Sequence, residues 1–380
     1  MAPDTMICDP TGVKSGVQNA RPVFILGIAE RSGTNFLQDL LRLHPDCDVD
    51  GLELEEDHFV DFSDLLLRFV QSASRSWKMW WGPEQLERER DLVLRCLGDG
   101  LISYLKMQVV NRRSLNRMYP VDKELKVLVT KSPSVNNVEM FFRLFPDADL
   151  IILIRDGRAV VESAVRTFFR RFNKASRQWV DRAEEVLRFV GNDSNRERRF
   201  LLVKYEDLYG HCDHEIRRIL SFLRLDETRY NFEAATNLPV RGSSSLRREG
   251  AAPTSSTVRG VAPGIHWKPV PKTADFNPLA RWSQWNRAQH ERFNWITGDG
   301  LTALGYEKKV YPTHHWFWAA WNVLLDTLPI EAAVWLFRRV SRELKTRPDK
   351  FRALQDLASK AWTVFKSSPP AARGTGGSRV

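Results

Sequence analysis

The sequence predicts an α/β protein in which helices flank a parallel sheet and a helical appendage follows at the C-terminal end. Short runs rich in Val, Ile, Leu and Phe recur four times between residues 22 and 208. A segment with helical periodicity follows each run. Strands that alternate with helices favour a parallel sheet, and ligands of such sheets bind beyond the carboxyl ends of the strands.

The composition indicates a globular protein with a surplus of positive charge. A chain of 380 residues can form one large α/β domain with an appendage. It carries 57 Lys and Arg against 47 Asp and Glu, which favours an anionic ligand or surface. The four cysteines form no C-x-x-C pair, so we expect neither a metal site nor a disulfide framework, and a cytoplasmic location. Residues 1–20 are polar and are expected to form a disordered leader.

The first apolar run, residues 23–27, leads into a loop that precedes a helix. Its candidate phosphate-binding residues are Arg31, Ser32, Gly33, Thr34 and Asn35. Backbone N–H groups at a helix start attract anions, and Arg31 adds a full charge. The loop is P-loop-like, but Gly33 stands where the nucleotide-hydrolase motif requires Lys, so it suits a single phosphate. An ordinary strand–turn–helix is the alternative.

Two stretches after the first helix allow either a structural or a functional interpretation. The acidic stretch from Asp46 to Asp57 fits a solvated loop, or it brings one carboxylate to the phosphate loop as a general base. Residues 58–120 are predicted to be helical, and the tryptophans within 77–81 fit either core or a lid over substrate.

Three further strands are predicted, over residues 126–131, 149–154 and 200–208. Helices are predicted to follow at 135–144, from 159 onward and at about 211–223. Arg31, Lys131 and Arg155 follow three of the strands, so we expect them at one edge of the sheet. Three cations at one edge call for a ligand with at least two anionic groups, and Ser163 and Tyr205 are expected nearby.

The C-terminal third changes in composition. Residues 237–281 are rich in Ser, Pro and Gly and predict a long loop or lid, with a disordered linker as the alternative. A helix is then predicted from Trp282 to about Thr297, and the domain is expected to span residues 21–307.

A basic region follows the domain, with 13 Lys and Arg against 5 Asp and Glu in residues 308–380. Residues 308–368 are predicted to be helical. Polar residues interrupt the apolar run within them, which argues against a membrane span. Packing on the domain or on a second copy, as a homodimer, is favoured over peripheral contact with a membrane. Residues 369–380 are expected to be a disordered tail.

These motifs resemble those of the sulfotransferases that use 3′-phosphoadenosine 5′-phosphosulfate (PAPS), in the tyrosylprotein-like and bacterial branches. The resemblance covers about residues 21–307. It is carried by the following segments: Pro22–Leu41 with Arg31-Ser32-Gly33-Thr34, Lys131-Ser132-Pro133, Arg155-Asp156-Gly157-Arg158 with Ser163, and Lys204–Leu208.

The resemblance implies a role for each motif. The loop Arg31–Asn35 would hold the 5′-phosphosulfate, and Arg155 with Ser163 would hold the 3′-phosphate. Tyr205 would lie near the 3′-phosphate or adenine, and Lys131 beside the bridging oxygen. The residues implied to complete the donor site are Ser243 or Ser244, and Lys268.

The resemblance also implies a general base shortly after His44-Pro45. Glu53 is the first choice, and Glu55, Glu56 and His58 are alternatives. The expected reaction is in-line transfer of a sulfuryl group to an acceptor hydroxyl, without a metal and without nucleic acid as a partner. A kinase with a divergent phosphate loop and a non-catalytic adenosine-phosphate-binding protein are the alternative functions.

Overall fold

A computed structural model describes most of the chain. The described residues are 17, 19–48, 56–77, 80–115, 125–195, 197–239, 271, 276–313 and 315–327. The chain divides into two compact units, residues 1–310 and 311–380.

The first unit is built on one parallel sheet. Its five strands are β1 (Arg21–Gly27), β2 (Cys47–Asp48), β3 (Val127–Ser132), β4 (Asp149–Ile154) and β5 (Phe200–Lys204). Their order across the sheet is β2-β3-β1-β4-β5. All residues of β3 and β4 are buried, as expected of central strands that are covered on both faces. The predicted α/β fold with a parallel sheet is confirmed.

Twelve helices lie in the described part of the chain. They are α1 (Thr34–Leu41), α2 (Ser63–Ala73), α3 (Pro83–Leu115), α4 (Phe141–Leu144), α5 (Gly157–Phe168), α6 (Phe172–Gly191), α7 (Tyr205–Gly210), α8 (Cys212–Phe222), α9 (Phe232–Thr236), α10 (Arg287–Thr297), α11 (Gly300–Ala303) and α12 (His315–Thr327). Of these, α12 belongs to the second unit. No helix in the described ranges combines the length and the apolarity needed to cross a bilayer.

Apolar side chains cover both faces of the sheet. Successive residues of a strand point to opposite sides, so one strand contributes to both core clusters. On β1, Phe24 and Leu26 join one core cluster, whereas Val23 and Ile25 join the other. The pairing register aligns Ile25 with Lys131, Leu26 with Ser132 and Gly27 with Leu153. The loops that follow β1, β3 and β4 therefore leave the sheet at the same edge.

The structure corrects the end of the fourth predicted strand. The sequence predicts a strand to Leu208, but β5 ends at Lys204 and Tyr205 begins α7. Glu206 and Asp207 occupy the first turn of this helix, where a carboxylate interacts favourably with the helix dipole.

Two predicted helices are also shorter than expected. The helix predicted from residue 135 is reduced to a 3₁₀ turn at Val138–Met140 and the short α4, because Asn137 has a left-handed backbone with φ of 59°. The helix predicted from Trp282 is a 3₁₀ turn over Arg281–Gln284, after which the backbone is extended and α10 begins anew. A capping box of Asn286 and Gln289 fixes that new start.

The buried imidazole of His290 predicts a loss of stability in acid. His290 lies on α10 against the rings of Trp282 and Trp285, with centroids 5.6 and 5.5 Å away. Burial, together with the charges of Lys309 and Arg158, lowers its pKa to about 4. Below about pH 6.5, the ordinary pKa of histidine, this imidazole binds a proton in the unfolded chain. In the folded chain it stays neutral down to about pH 4. The free energy of unfolding should therefore fall by about 1 to 2 kcal/mol between pH 7 and pH 5.

Urea unfolding of the wild type and of His290→Gln at both pH values tests this expectation. The variant should lose less stability than the wild type over the same interval. Equal losses would show that His290 is not the group responsible.

Candidate functional site

The loop between β1 and α1 leads into a helix whose start is not capped by a side chain. Such a helix start can bind an anion. Gly33 is the N-cap residue of α1 and has φ of 100°. Arg31 is also left-handed, with φ of 75°. The N–H of Phe36 donates to the Gly33 carbonyl at 2.9 Å. Helix geometry gives the N–H groups of Thr34 and Asn35 no partner within the helix, and they lie at the end of the sheet together with the charge of Arg31.

Gly33 is required for a second reason, because the ring of Tyr205 packs against it. A Cβ atom at residue 33 would lie 2.3 Å from a carbon of that ring. Tyr205 begins α7, directly after β5. Its ring therefore packs the loop that follows β1 against the start of the helix that follows β5. The close approach holds the loop in one conformation.

Ser32 stabilises the loop from within. Its hydroxyl accepts a hydrogen bond from the N–H of Ala29 at 3.0 Å and donates to the Ala29 carbonyl. The N–H of Ser32 also donates to that carbonyl, at 3.2 Å. In this structure its hydroxyl thus contacts the loop itself, whereas the sequence suggested a side-chain donor to the phosphate.

Arg31 and Arg281 both contact Ser163 on α5, and Arg155 contacts Arg31. Arg31 Nε donates to the Ser163 hydroxyl at 3.0 Å, and Arg281 Nη1 lies 3.3 Å from the same oxygen. Arg155 Nη1 donates to the Arg31 carbonyl at 2.8 Å. The Arg155 guanidinium carbon also lies 4.1 Å from the ring centroid of Tyr205. We call Arg31, Arg155, Arg281 and Ser163 the arginine cluster.

The positive charges of the three arginines in the cluster repel one another. Burial and the charge of Arg155 lower the pKa of Arg31 to about 10. Burial and the charges of Arg155 and Arg31 lower the pKa of Arg281 to about 9. Arg155 is only 4 % exposed. Buried like charges are favourable only when an opposite charge joins them, so this arrangement fits an anion such as a phosphate group.

Lys131 lies at a second position on the same edge, at the end of β3, and is 4 % exposed. Its Nζ lies 3.4 Å from a carboxylate oxygen of Glu56. The other oxygen of Glu56 lies 3.4 Å from Nε2 of His58, whose Nδ1 is 3.5 Å from Asp61. A cation, a carboxylate and an imidazole therefore form one chain of contacts beside the phosphate loop.

Asp57 attaches this chain of contacts to the sheet. Its N–H donates to the Lys131 carbonyl at 3.0 Å, and its carboxylate accepts from Thr130 Oγ1 at 2.7 Å and from the N–H of Phe59 at 2.8 Å. Burial raises the pKa of Asp57 to about 6. Because Asp57 is flanked by Glu56 and His58, these bonds set the position of both neighbours.

The structure brings together Arg31, Arg155, Ser163 and Tyr205, with Lys131 at the end of the next strand along the sheet. It adds Arg281 and Asp57, which sequence reasoning did not select. Several predicted residues lie outside the described residues: Glu53, Glu55, Ser243, Ser244 and Lys268. Among the alternatives for the base, the structure describes Glu56 and His58. Within the described ranges, no group of His, Cys, Asp and Glu could hold a metal ion.

The fold is that of an α/β protein, and one edge of its sheet carries an uncapped helix start beside the arginine cluster. The sequence model of the sulfotransferase family matches residues 22–229, which is more than half of the chain. The chain therefore belongs to the sulfotransferase family, as the resemblance of its motifs implies.

Curated relatives include two protein-tyrosine sulfotransferases. Protein-tyrosine sulfotransferase A of Caenorhabditis elegans is 25 % identical over 230 residues, which cover 56 % of this chain and 53 % of the relative. The protein-tyrosine sulfotransferase of Drosophila melanogaster is 25 % identical over 213 residues, covering 53 % of this chain and 38 % of the relative. The chain thus spans about half the length of these relatives or less.

Solved structures of sulfotransferases are also similar. The sulfotransferase domain from the curacin biosynthetic pathway is 19 % identical, with a TM-score of 0.41, and the match covers 76 % of this chain and 99 % of that domain. Sulfotransferase STF9 from Mycobacterium avium is 15 % identical, with a TM-score of 0.38, covering 77 % and 79 % of the two chains.

Proposed function

We propose that the protein transfers a sulfuryl group from PAPS to the hydroxyl of an acceptor. The observation that carries this proposal is the arginine cluster beside the phosphate loop. Two anion sites on one sheet edge match a nucleotide with phosphates at two separate positions, and ATP has no phosphate at its 3′ position. Membership of the sulfotransferase family supports the same donor.

The described residues divide between the two ends of such a donor. The uncapped start of α1 with Arg31 suits the 5′-phosphosulfate. Arg155, Ser163 and Arg281 suit the 3′-phosphate, and the ring of Tyr205 suits contact with the nucleoside. Ser243 or Ser244, and Lys268, remain our predictions for the rest of the donor site. When bound, the donor supplies an activated sulfuryl group.

The chain's own residues provide charge stabilisation and proton removal. Lys131 would stabilise the negative charge that develops on the leaving phosphate. A base would take the proton of the acceptor hydroxyl, and Glu53 remains our first choice. Glu56 and His58 are the candidates whose contacts with each other and with Lys131 are described.

Nucleotide binding separates this function from the alternatives. Isothermal titration of the full chain with adenosine 3′,5′-bisphosphate should give much tighter binding than titration with ATP, with or without Mg²⁺. A preference for ATP that depends on Mg²⁺ would indicate the kinase instead. Tight binding of the bisphosphate without consumption of PAPS in any cell extract would indicate a non-catalytic binding protein.

The role of Glu53 gives a prediction for turnover. We expect Glu53→Gln to bind the bisphosphate normally and to lower turnover by roughly 100-fold, because an amide cannot accept the proton. Labelled PAPS with pooled cell extract as the acceptor source measures this. If Glu53→Gln turns over normally, Glu56→Gln and His58→Asn identify the base in the same assay.

Arg281 gives a prediction in which binding and stability change in opposite directions. Arg281→Ala removes one of three mutually repelling cations, so the free protein should melt a few degrees higher. The same change should weaken binding of the bisphosphate by about 10-fold, because one charged donor is lost. Thermal melts with and without the bisphosphate measure both effects. A variant that melts lower and binds normally would contradict this role.

We further propose that the protein acts in the cytoplasm on a hydroxyl-bearing acceptor other than nucleic acid. Residues 308–368 would pack on the domain, join two copies as a homodimer or contact a membrane surface. Sedimentation of the full chain, with and without anionic vesicles, distinguishes these arrangements.

A further inference from the structure

Helix α12, in the second unit, exposes large apolar side chains. Two of them are indole rings, with Trp316 76 % and Trp321 42 % exposed. Phe317, Val323 and Leu324 are exposed as well. Soluble proteins rarely leave several large apolar side chains together in water, and such surfaces mark sites of interaction.

These exposed residues lie together on one side of the helix. An α-helix turns by about 100° per residue, so its exposed apolar residues fall within an arc of about 160°. They are Trp316, Phe317, Ala320, Trp321, Val323 and Leu324. Within this arc, each side chain that the structure describes is apolar. We call these six residues the α12 apolar face.

The polar residues Asn322 and Asp326 lie outside this face. Asn322 is only 2 % exposed, and the helical turn places it opposite the centre of the arc. Asp326 is displaced from that centre by about 140°. Both residues interrupt the apolar run in the sequence, but on the helix they leave the α12 apolar face continuous.

Positive charge follows α12 in the sequence. Residues 338–366 carry nine Lys and Arg against three Asp and Glu. An anionic surface attracts such a segment, whereas a second copy of the chain would bring the same surplus of positive charge against it. Trp is also favoured where an apolar medium meets water, since its indole ring is apolar and its N–H is polar. The charge and the side-chain types therefore favour a membrane with anionic lipids over a second copy.

From these observations we propose that the α12 apolar face binds the surface of a membrane that contains anionic lipids. The helix would lie along the surface with Trp316 and Trp321 at the boundary between headgroups and acyl chains, and the basic residues that follow it would attract the lipid charge. This inference goes beyond the proposed function and depends on neither the donor nor the acceptor.

Sedimentation of the full chain with vesicles tests the proposal. One set of vesicles is phosphatidylcholine alone, and the other contains about one-third phosphatidylglycerol. The chain should bind the anionic vesicles at least about 10-fold more tightly than the neutral ones. Raising the salt concentration from about 0.1 M to about 0.5 M should remove most of that difference. Failure to bind anionic vesicles, or equal binding to both kinds, would overturn the proposal.

Substitution of the exposed tryptophans connects the binding to α12. The double variant Trp316→Ser with Trp321→Ser should bind the anionic vesicles about 10-fold more weakly than the wild type, because less apolar area enters the membrane. Trp80→Ser is the matched control, since Trp80 is 80 % exposed and lies in the first unit. It should bind the vesicles like the wild type. All three side chains are exposed, so each variant should melt within a few degrees of the wild type.

Analytical ultracentrifugation without lipid identifies the competing occupant. A dimeric wild type and a monomeric double variant that still binds vesicles fully would assign the α12 apolar face to a second copy and contradict the proposal. Full vesicle binding by the double variant contradicts it in any oligomeric state. None of these measurements uses a nucleotide, so the titration with bisphosphate and ATP tests the proposed function separately.

Discussion

Arg155→Ala is expected to weaken binding of adenosine 3′,5′-bisphosphate by about 100-fold while changing the affinity for adenosine 5′-phosphate only a few-fold. The side chain is buried, and its guanidinium lies over Tyr205 at the centre of the arginine cluster. Only the bisphosphate carries a 3′-phosphate, the group that we assign to Arg155. Isothermal titration of both nucleotides against the same protein measures the difference.

Controls are needed because Arg155 also holds backbone in place, through its bonds to the carbonyls of Arg31 and Pro278. Arg155→Lys keeps the charge but cannot form bidentate hydrogen bonds to a phosphate. Its affinity for the bisphosphate should therefore fall between those of the wild type and the alanine variant. Arg188→Ala on the exposed side of α6 should bind both nucleotides normally. Equal losses for both nucleotides in Arg155→Ala would remove this residue from the 3′-phosphate role.

Lys131→Met is expected to lower turnover of PAPS by about 100- to 1,000-fold and to leave the affinity for PAPS itself within a few-fold of normal. The cation would act on the negative charge that develops on the leaving phosphate during transfer, and that charge is absent from the bound donor. Transfer of labelled sulfuryl groups to cell extract measures turnover, and isothermal titration measures binding.

Lys126→Met is a matched control from the other end of the same strand. Lys126 is exposed and pairs with Asp46 at 3.1 Å, away from the carboxyl ends of the strands. It should leave both turnover and binding unchanged. If Lys131→Met loses binding as strongly as turnover, Lys131 holds the donor and has no special part in the transfer.

The strands and the cations that follow them could be predicted because both depend on local sequence. Central parallel strands are apolar throughout, and the first polar residue after each run marks the sheet edge. Arg155, directly after β4, follows this rule, and in β3 the apolar run Val127–Val129 ends at Thr130, one residue before Lys131. At β5 the apolar run also ends beside a cation, Lys204, but the predicted strand extends past it through Tyr205, Glu206 and Asp207, which belong to α7.

Arg281 and Asp57 could not be predicted because their roles depend on distant contacts. Arg281 reaches Ser163 across 118 positions of sequence, and its local pattern shows only an arginine before two tryptophans. Asp57 was one of several carboxylates in an acidic stretch, and only its bond to Thr130 distinguishes it.

The arginine cluster has a further consequence for the catalytic cycle that we propose. The 3′-phosphate is the same group before and after the sulfonate departs, so these arginines hold spent nucleotide as firmly as fresh donor. Accumulating product should therefore inhibit the enzyme strongly, and sustained flux in the cell would require a phosphatase that clears the bisphosphate.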